Sequence, residues 1–164
     1  MIGRQETVIV LEATIDDMNP EIYSYLLDTL IKKEGALDAY LTPIYMKKSR
    51  PANLLSIICR EEQLEKLLET VFRETTTLGV RVREEQRRVL PRGFAMVETP
   101  WGEVKVKIGF LDENKREIVQ YAPEYEACRH ISEKHGVPLK EVYTSALQAF
   151  VQQKIHEENG RNRG

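Results

Sequence analysis

Cysteine is scarce. Cys59 and Cys128 are the two in 164 residues, too few for the disulfide framework of a small secreted domain. Long apolar runs are missing as well. No uncharged apolar stretch approaches the ~20 residues a membrane helix needs. The opening MIGRQETVIVLEA has one Arg and no long apolar core, so it is not a secretory signal. A cytoplasmic protein with no membrane partner is the expectation. An excess of one charge is also absent: 24 Lys and Arg stand against 26 Asp and Glu, a net charge of −2. A DNA-coating domain is usually strongly basic, and no nucleic-acid partner is expected here. The common nucleotide and metal signatures are missing too: G-x-x-x-x-G-K-[ST], G-x-G-x-x-G, H-E-x-x-H and paired C-x-x-C do not occur. A nucleotide, if one binds, is held neither by a P-loop nor by a dinucleotide fingerprint.

What is present suits an ordinary folded domain. Hydrophobic residues make up 41% and charged residues 30%, and a chain of this length builds a core without staples. Val8 to Ile15 alternates as a strand, with Val8, Val10, Glu12, Thr14 and Asp16 on one face and Ile9, Leu11, Ala13 and Ile15 on the other. Asn19 and Pro20 open a helix whose stripe is Ile22, Leu26, Leu27, Leu30 and Ile31, and Gly35 closes it. Leu37 to Met46 is a second strand, with Pro43 marking an edge or a bulge. Leu54 to Cys59 is a third. Leu64, Leu67, Leu68, Val71 and Phe72 line a second helix that ends by Gly79, and Val80 to Leu90 is a fourth strand.

This β-α-β-β-α-β order predicts an α+β, ferredoxin-like fold: an antiparallel four-stranded sheet under two helices. It spans residues 1–91. Residues 92–155 read as a β-hairpin, Phe94 to Thr99 and Glu103 to Phe110 joined at TPWGE, followed by two helices opened by Pro123 and Pro138. Residues 156–164 read as a disordered polar tail.

Three clusters carry candidate chemistry. In EATIDDMNPE, Glu12, Thr14 and Asp16 share a strand face and Asp17 adjoins the turn. Such carboxylates hold a hard divalent cation that already carries phosphates, or they merely help Asn19 cap the helix. In YMKKSRPAN, Lys47, Lys48 and Arg50 crowd a short connection. They suit phosphate oxygens, or they blunt a sheet edge as solvated charges. In RETTTLGVRVREEQRR, threonines precede a turn, and Arg81, Arg83, Glu85 and Arg87 alternate onto one face. Hydroxyls, turn N–H groups and arginines form an anion cradle, or the strand is amphipathic with a salt-bridged polar face, the better reading for Arg87 and Arg88. His130 and His135 are misaligned for ligation. Cys59 and Cys128 read as buried and inert, and Trp101 as a packing residue.

Taken in order, VIVLEATIDDMNPE, LDAYLTPIYMKKSRP, RETTTLGVRVRE, VETPWGEVKVKIG and APEYEACRHISEKHGVPLKEVY resemble the C-terminal region of the LarC family. The resemblance runs from about Val8 to Leu147. It implies a CTP-dependent nickel chelatase or cyclometallase of the lyase class. Such a protein uses CTP with Mn or Mg and installs Ni(II), its substrate metal, in pyridinium-3,5-bisthiocarboxylic acid mononucleotide. The product is the nickel-pincer cofactor of lactate racemase-type enzymes. The resemblance also implies a homo-oligomer. By position, it makes Asp16 and Asp17 metal contacts and Lys47, Lys48, Arg50, Thr76, Thr77, Arg81 and Arg83 CTP contacts. The family's larger N-terminal region, opened by a motif of the kind FSGISGDM, has no counterpart in these residues. The chain is therefore expected to be the C-terminal domain alone, partnered by that region. Two other functions stand beside the enzyme. One is a non-catalytic ferredoxin-like module for ligand sensing or oligomerisation. The other is RNA binding through the sheet face.

Overall fold

The computed structural model describes residues 2–115 and 117–161. The chain divides into two compact units, Gln5–Arg87 and Met1–Arg4 joined with Arg88–Gly164.

The first unit runs β1 (Arg4–Ile15), α1 (Ile22–Asp28), β2 (Asp38–Met46), β3 (Arg50–Cys59), α2 (Leu64–Glu74) and β4 (Arg81–Val89). The sheet order is β2-β3-β1-β4, the split pattern expected from the sequence. Both β1 and β2 pair antiparallel with β3. The pairs Glu12–Arg83, Thr7–Gln86 and Glu6–Arg87 step in opposite directions along the two chains, so β4 is antiparallel to β1. Edge strand β2 carries Pro43 opposite Asn53, where a missing N–H disturbs the ladder least.

Alternation along β1 decides the packing. Ile9, Leu11, Ala13 and Ile15 join Leu55, Ile57 and Cys59 of β3 under Tyr23, Leu26 and Leu30 of the first helix and Leu67 and Val71 of α2. The first helix departs from its expected stripe. After Asp28 it widens into a π turn over Thr29–Lys33. Tyr23, Leu26, Thr29 and Leu30 are buried, while Ile22, at the helix's first position, and Ile31, inside the π turn, are exposed. Gly35, at φ +78°, supplies the left-handed stop. Helix α2 ends at Glu74, short of Gly79. Thr75 turns extended, and its hydroxyl donates to the Val71 carbonyl at 2.7 Å. Phe72, expected inside, is exposed.

The second unit contains β5 (Arg92–Thr99), β6 (Gly102–Phe110), β7 (Ile118–Pro123), α3 (Tyr125–His135) and α4 (Leu139–Arg161). The expected hairpin is there, with Thr99 opposite Gly102 across Pro100-Trp101. β7 extends it to a three-stranded antiparallel sheet. Pro123 ends this strand, so it stands before the helix rather than within it. Val97, Val104, Val106, Ile108 and Phe110 pack against Cys128 and Ile131 of α3 and Val142, Ala146 and Phe150 of α4. α4 continues to Arg161, past the Ile155 where the sequence reading ends it; residues 162–164 of the expected tail lie outside the described residues. No helix among the described residues is long and apolar enough to cross a membrane.

Candidate functional site

The ferredoxin-like topology brings three loops to one end of the first sheet. Strand β1 ends there at Ile15 and delivers Asp16 and Asp17. The hairpin between β2 and β3 turns there through Lys47–Ser49, and β4 begins there after the threonine loop. The three clusters read from the sequence come from these segments.

Asp16 is paired with Arg50, Nη1 to Oδ2 at 3.1 Å, with the Asp16 side chain 19% exposed. Asp17 accepts a hydrogen bond from the Thr76 hydroxyl. Neither carboxylate caps the first helix. Nor does the Asn19 side chain, which accepts from the Glu21 N–H at 3.1 Å in the turn before the helix. The helix-capping alternative for Asp16 and Asp17 is thereby excluded. Thr77 acts locally, its hydroxyl donating to the Gly79 carbonyl at 3.0 Å. Lys47 and Lys48 lie exposed on the hairpin turn. There Lys48 at φ 61° and Ser49 at φ 55° occupy the left-handed region, a conformation that non-glycine residues keep only under local constraint.

Arg81 and Arg83 gather elsewhere, on Glu12. Arg83 grips its carboxylate with both terminal nitrogens, at 2.8 and 3.1 Å, and Arg81 stands 3.6 Å away. Glu85 holds the other side of Arg83 at 2.7 Å. The Arg83 fork, then the nearby charges of Arg83 and Arg81, hold the Glu12 carboxyl below the ordinary carboxylate range against the opposing effect of burial. Glu12 and Asp16 are four residues apart on one strand face, about 13 Å at strand rise. The arginines therefore form a second cluster along the sheet from the Asp16–Arg50 pair. The sequence reading grouped Glu12 with Asp16 as a cation ligand; its pairing with Arg81 and Arg83 is what that reading missed. Its signal was the alternation of Glu12 with Thr14 and Asp16, facing the alternation of Arg81 with Arg83 and Glu85. Arg87 is salt-bridged to Glu6 at 2.5 Å, which makes it part of the sheet's own polar face.

Beside Asp16 opens a cleft of about 420 Å³ lined by Met18, Tyr23, Pro43, Tyr45 and Asn53, among others. Tyr45 is 81% exposed. A partly apolar cleft with an amide and a carboxylate, beside a cationic turn, suits a ring-bearing polyanion. Among the described residues no group of three His, Cys, Asp or Glu side chains is placed to hold a metal ion. Asp16 and Asp17 are hard oxygen donors of the kind Mg²⁺ accepts, and they complete a coordination shell only when the ligand brings further oxygens. Both cysteines, Cys59 and Cys128, are buried and unpaired in disulfides, and burial raises the pKa of their thiols, which disfavours the reactive thiolate.

Comparison with known proteins places the chain in a family. The profile of the family described as "Nickel insertion protein" matches residues 2–143. The pyridinium-3,5-bisthiocarboxylic acid mononucleotide nickel insertion protein of Thermotoga petrophila is 41% identical over 158 residues, 96% of this chain and 38% of that protein. A putative nickel insertion protein of Dictyoglomus thermophilum is 49% identical over 138 residues, 84% of this chain and 34% of that protein. The chain thus spans about a third of the length of these curated relatives. Among solved structures, the apo C-terminal domain of LarC, a cyclometallase involved in the synthesis of the NPN cofactor of lactate racemase, superposes with a TM-score of 0.82. It is 34% identical and covers 90% of this chain and 99% of that one. With a family profile over most of its length and relatives above 40% identity, the chain belongs to the nickel insertion protein family.

Proposed function

We propose that this domain serves nickel insertion into pyridinium-3,5-bisthiocarboxylic acid mononucleotide by binding CTP with a divalent cation at the loop end of the first sheet. The overall reaction, forming the nickel-pincer cofactor, is that of a CTP-dependent cyclometallase of the lyase class and needs the remaining two thirds of the relatives' length. The carrying observation is the convergence of Asp16, Asp17, Thr76, Lys47, Lys48 and Arg50 on one end of the sheet, beside a cleft of about 420 Å³. Lys47 and Lys48 meet phosphate as mobile point charges and Arg50 as a fork. Tyr45 offers a stacking face and Asn53 an amide to a pyrimidine ring in the cleft. Arg50 is held by Asp16 in the free protein. A phosphate taking the Arg50 fork releases the Asp16 carboxylate, and that carboxylate together with Asp17 then faces the cation that travels with the phosphates. Mg²⁺ or Mn²⁺ bound there would neutralise phosphate charge and fix the geometry of the triphosphate. Thr76 keeps Asp17 oriented. Arg81 and Arg83, engaged by Glu12, act on the phosphates through the field they contribute rather than as free forks.

A homo-oligomer remains part of this reading, though Val142 and Phe150 of α4 are not among its contacts. Val142 and Phe150 are buried inside their own unit, which leaves them no surface to offer.

The test is calorimetric titration of CTP with and without Mn²⁺, with GTP as control. CTP-selective binding that tightens with metal is the expected result. No nucleotide response would favour the ligand-sensing or oligomerisation module, to which the paired state of Arg50, Arg81 and Arg83 gives some weight.

A further inference from the structure

The unit Met1–Arg4 with Arg88–Gly164 holds a second cleft, of about 410 Å³, over the face of its sheet that the helices leave open. Arg88, Arg92 and Lys107 line it, with no acidic residue, together with Gln120, Tyr121 and an apolar part made by Leu90 and neighbouring aliphatic side chains. Neither Arg92 nor Lys107 has an acidic partner among the described residues. Among the described residues Arg88 donates only to the neutral Ile2 carbonyl, at 3.2 Å, and meets no acid. Gly109 also lines the cleft; a Cβ there would meet Gln120 at 3.3 Å and Leu90 at 3.5 Å, so these two side chains cover the backbone at that point. Every cation of this cleft comes from a different element: β4, β5 or β6.

We propose that this cleft is a separate binding site for a pyridine mononucleotide bearing several anionic groups. The inference rests on the proposed function for the identity of the ring compound. The compound named for the relatives carries a phosphate and two thiocarboxylates on a pyridinium ring. Three uncompensated cations answer three anions, the apolar part receives the ring, and a volume of about 410 Å³ lies within the usual span of small-ligand sites. The loop-end site of the first unit differs in kind, because its arginine, Arg50, already holds the Asp16 carboxylate. The two anions of the reaction therefore have different seats: the nucleoside triphosphate at the loop end of the first sheet, the mononucleotide on the second sheet.

The experiment is calorimetry on the whole chain with nicotinic acid mononucleotide, which has one phosphate and one carboxylate on a pyridinium ring, and with its dephosphorylated nucleoside. Arg92→Ala and Lys107→Ala should each weaken the mononucleotide about tenfold or more, the loss expected for a charge-assisted contact. Lys107→Arg should retain binding, the nucleoside should bind far more weakly, and CTP affinity should be the same in all three variants. Binding unchanged in both alanine variants, no binding by the parent chain, or one-for-one displacement by CTP would each overturn the proposal. The two readings fail separately: loss of metal-linked CTP binding with the mononucleotide still seated at Arg92 and Lys107 would remove the loop-end site alone.

Discussion

The two units solve one packing problem in the same way and then diverge. Each backs a small antiparallel sheet with two helices, and in each the strands' alternating apolar residues form the core. Their other polar surfaces differ. In Gln5–Arg87 the arginines Arg50, Arg83 and Arg87 each hold a carboxylate, from Asp16, Glu12 with Glu85, and Glu6. In the second unit the sheet carries Arg92 and Lys107 with no acid across from them. A neutralised cluster binds an anion by exchange, giving up one partner to gain another. An uncompensated one binds directly. Net charge, at −2, hides this difference because it sums both kinds.

The largest expected effect tests whether the cores are as separate as they look. Leu11 is fully buried in the first core and Phe150 is 3% exposed in the second. Leu11→Ala should cost about 2–5 kcal/mol and Phe150→Ala about 3–5 kcal/mol. Hydrogen exchange should show protection lost mainly within the unit that carries the change. Equal loss across both units after either change would break the comparison at its root.

Next come the cations of the loop-end site. Lys47→Ala and Arg50→Ala should each weaken CTP binding by about 1–3 kcal/mol in calorimetry while thermal stability holds, since both side chains are exposed. Affinity unchanged in both would move the phosphates elsewhere on the molecule.

A smaller effect probes the neutralised state of the first unit. Glu12 has its folded pKa below its ordinary value because of Arg83 and Arg81. Such a carboxyl adds stability that is complete above its unfolded pKa, ~4.3, and disappears as pH falls through the folded value. The Arg83 side chain is 46% exposed, so solvent screening keeps the contribution small. Glu12→Gln should therefore lower the melting point at pH 7 and narrow its gap to the parent as pH drops below about 4. A constant gap across that window would mean that Glu12 acts through packing rather than charge.

How much of this was legible depended on whether one stretch of chain carried the signal. β1 and β3 announced themselves by β-branched alternation, and Pro43 by its place in an edge strand. β7 did not, because Pro123 reads as a helix opener and the strand exists only by pairing with β6. Ile31 is exposed inside a π turn that no local residue advertises. The three loop-end clusters were each visible, but their pairing was not. Glu12 and Arg83 lie 71 positions apart, and only the β1–β4 neighbourhood brings them together. The second cleft was further out of reach, since its three cations sit on separate strands and each alone looks like a solvated surface charge.

The smallest expected effect separates exchange from direct binding most cleanly. In the free protein Asp16 holds Arg50 in an ion pair whose Arg side chain is 54% exposed, a geometry worth about 0.2–1 kcal/mol. Asp16→Asn removes that competitor and leaves Arg50 free for phosphate. Metal-free CTP should then bind slightly more tightly than in the parent, by at most roughly fivefold. The gain on adding Mn²⁺ or Mg²⁺ should shrink, because one of the two carboxylates facing the cation is lost. Mg²⁺ commonly keeps several waters, so the loss with Mg²⁺ is expected to be partial. The measurement is the same CTP titration in both proteins, with and without metal. Metal-free affinity that falls in the variant would show Asp16 shaping the cleft rather than competing for Arg50. An undiminished metal gain would take the cation away from Asp16 and leave Arg50 as its one partner. If metal-free binding rises and the metal gain drops together, the first unit binds by exchange, and Arg92→Ala, which has no carboxylate to release, should show neither change.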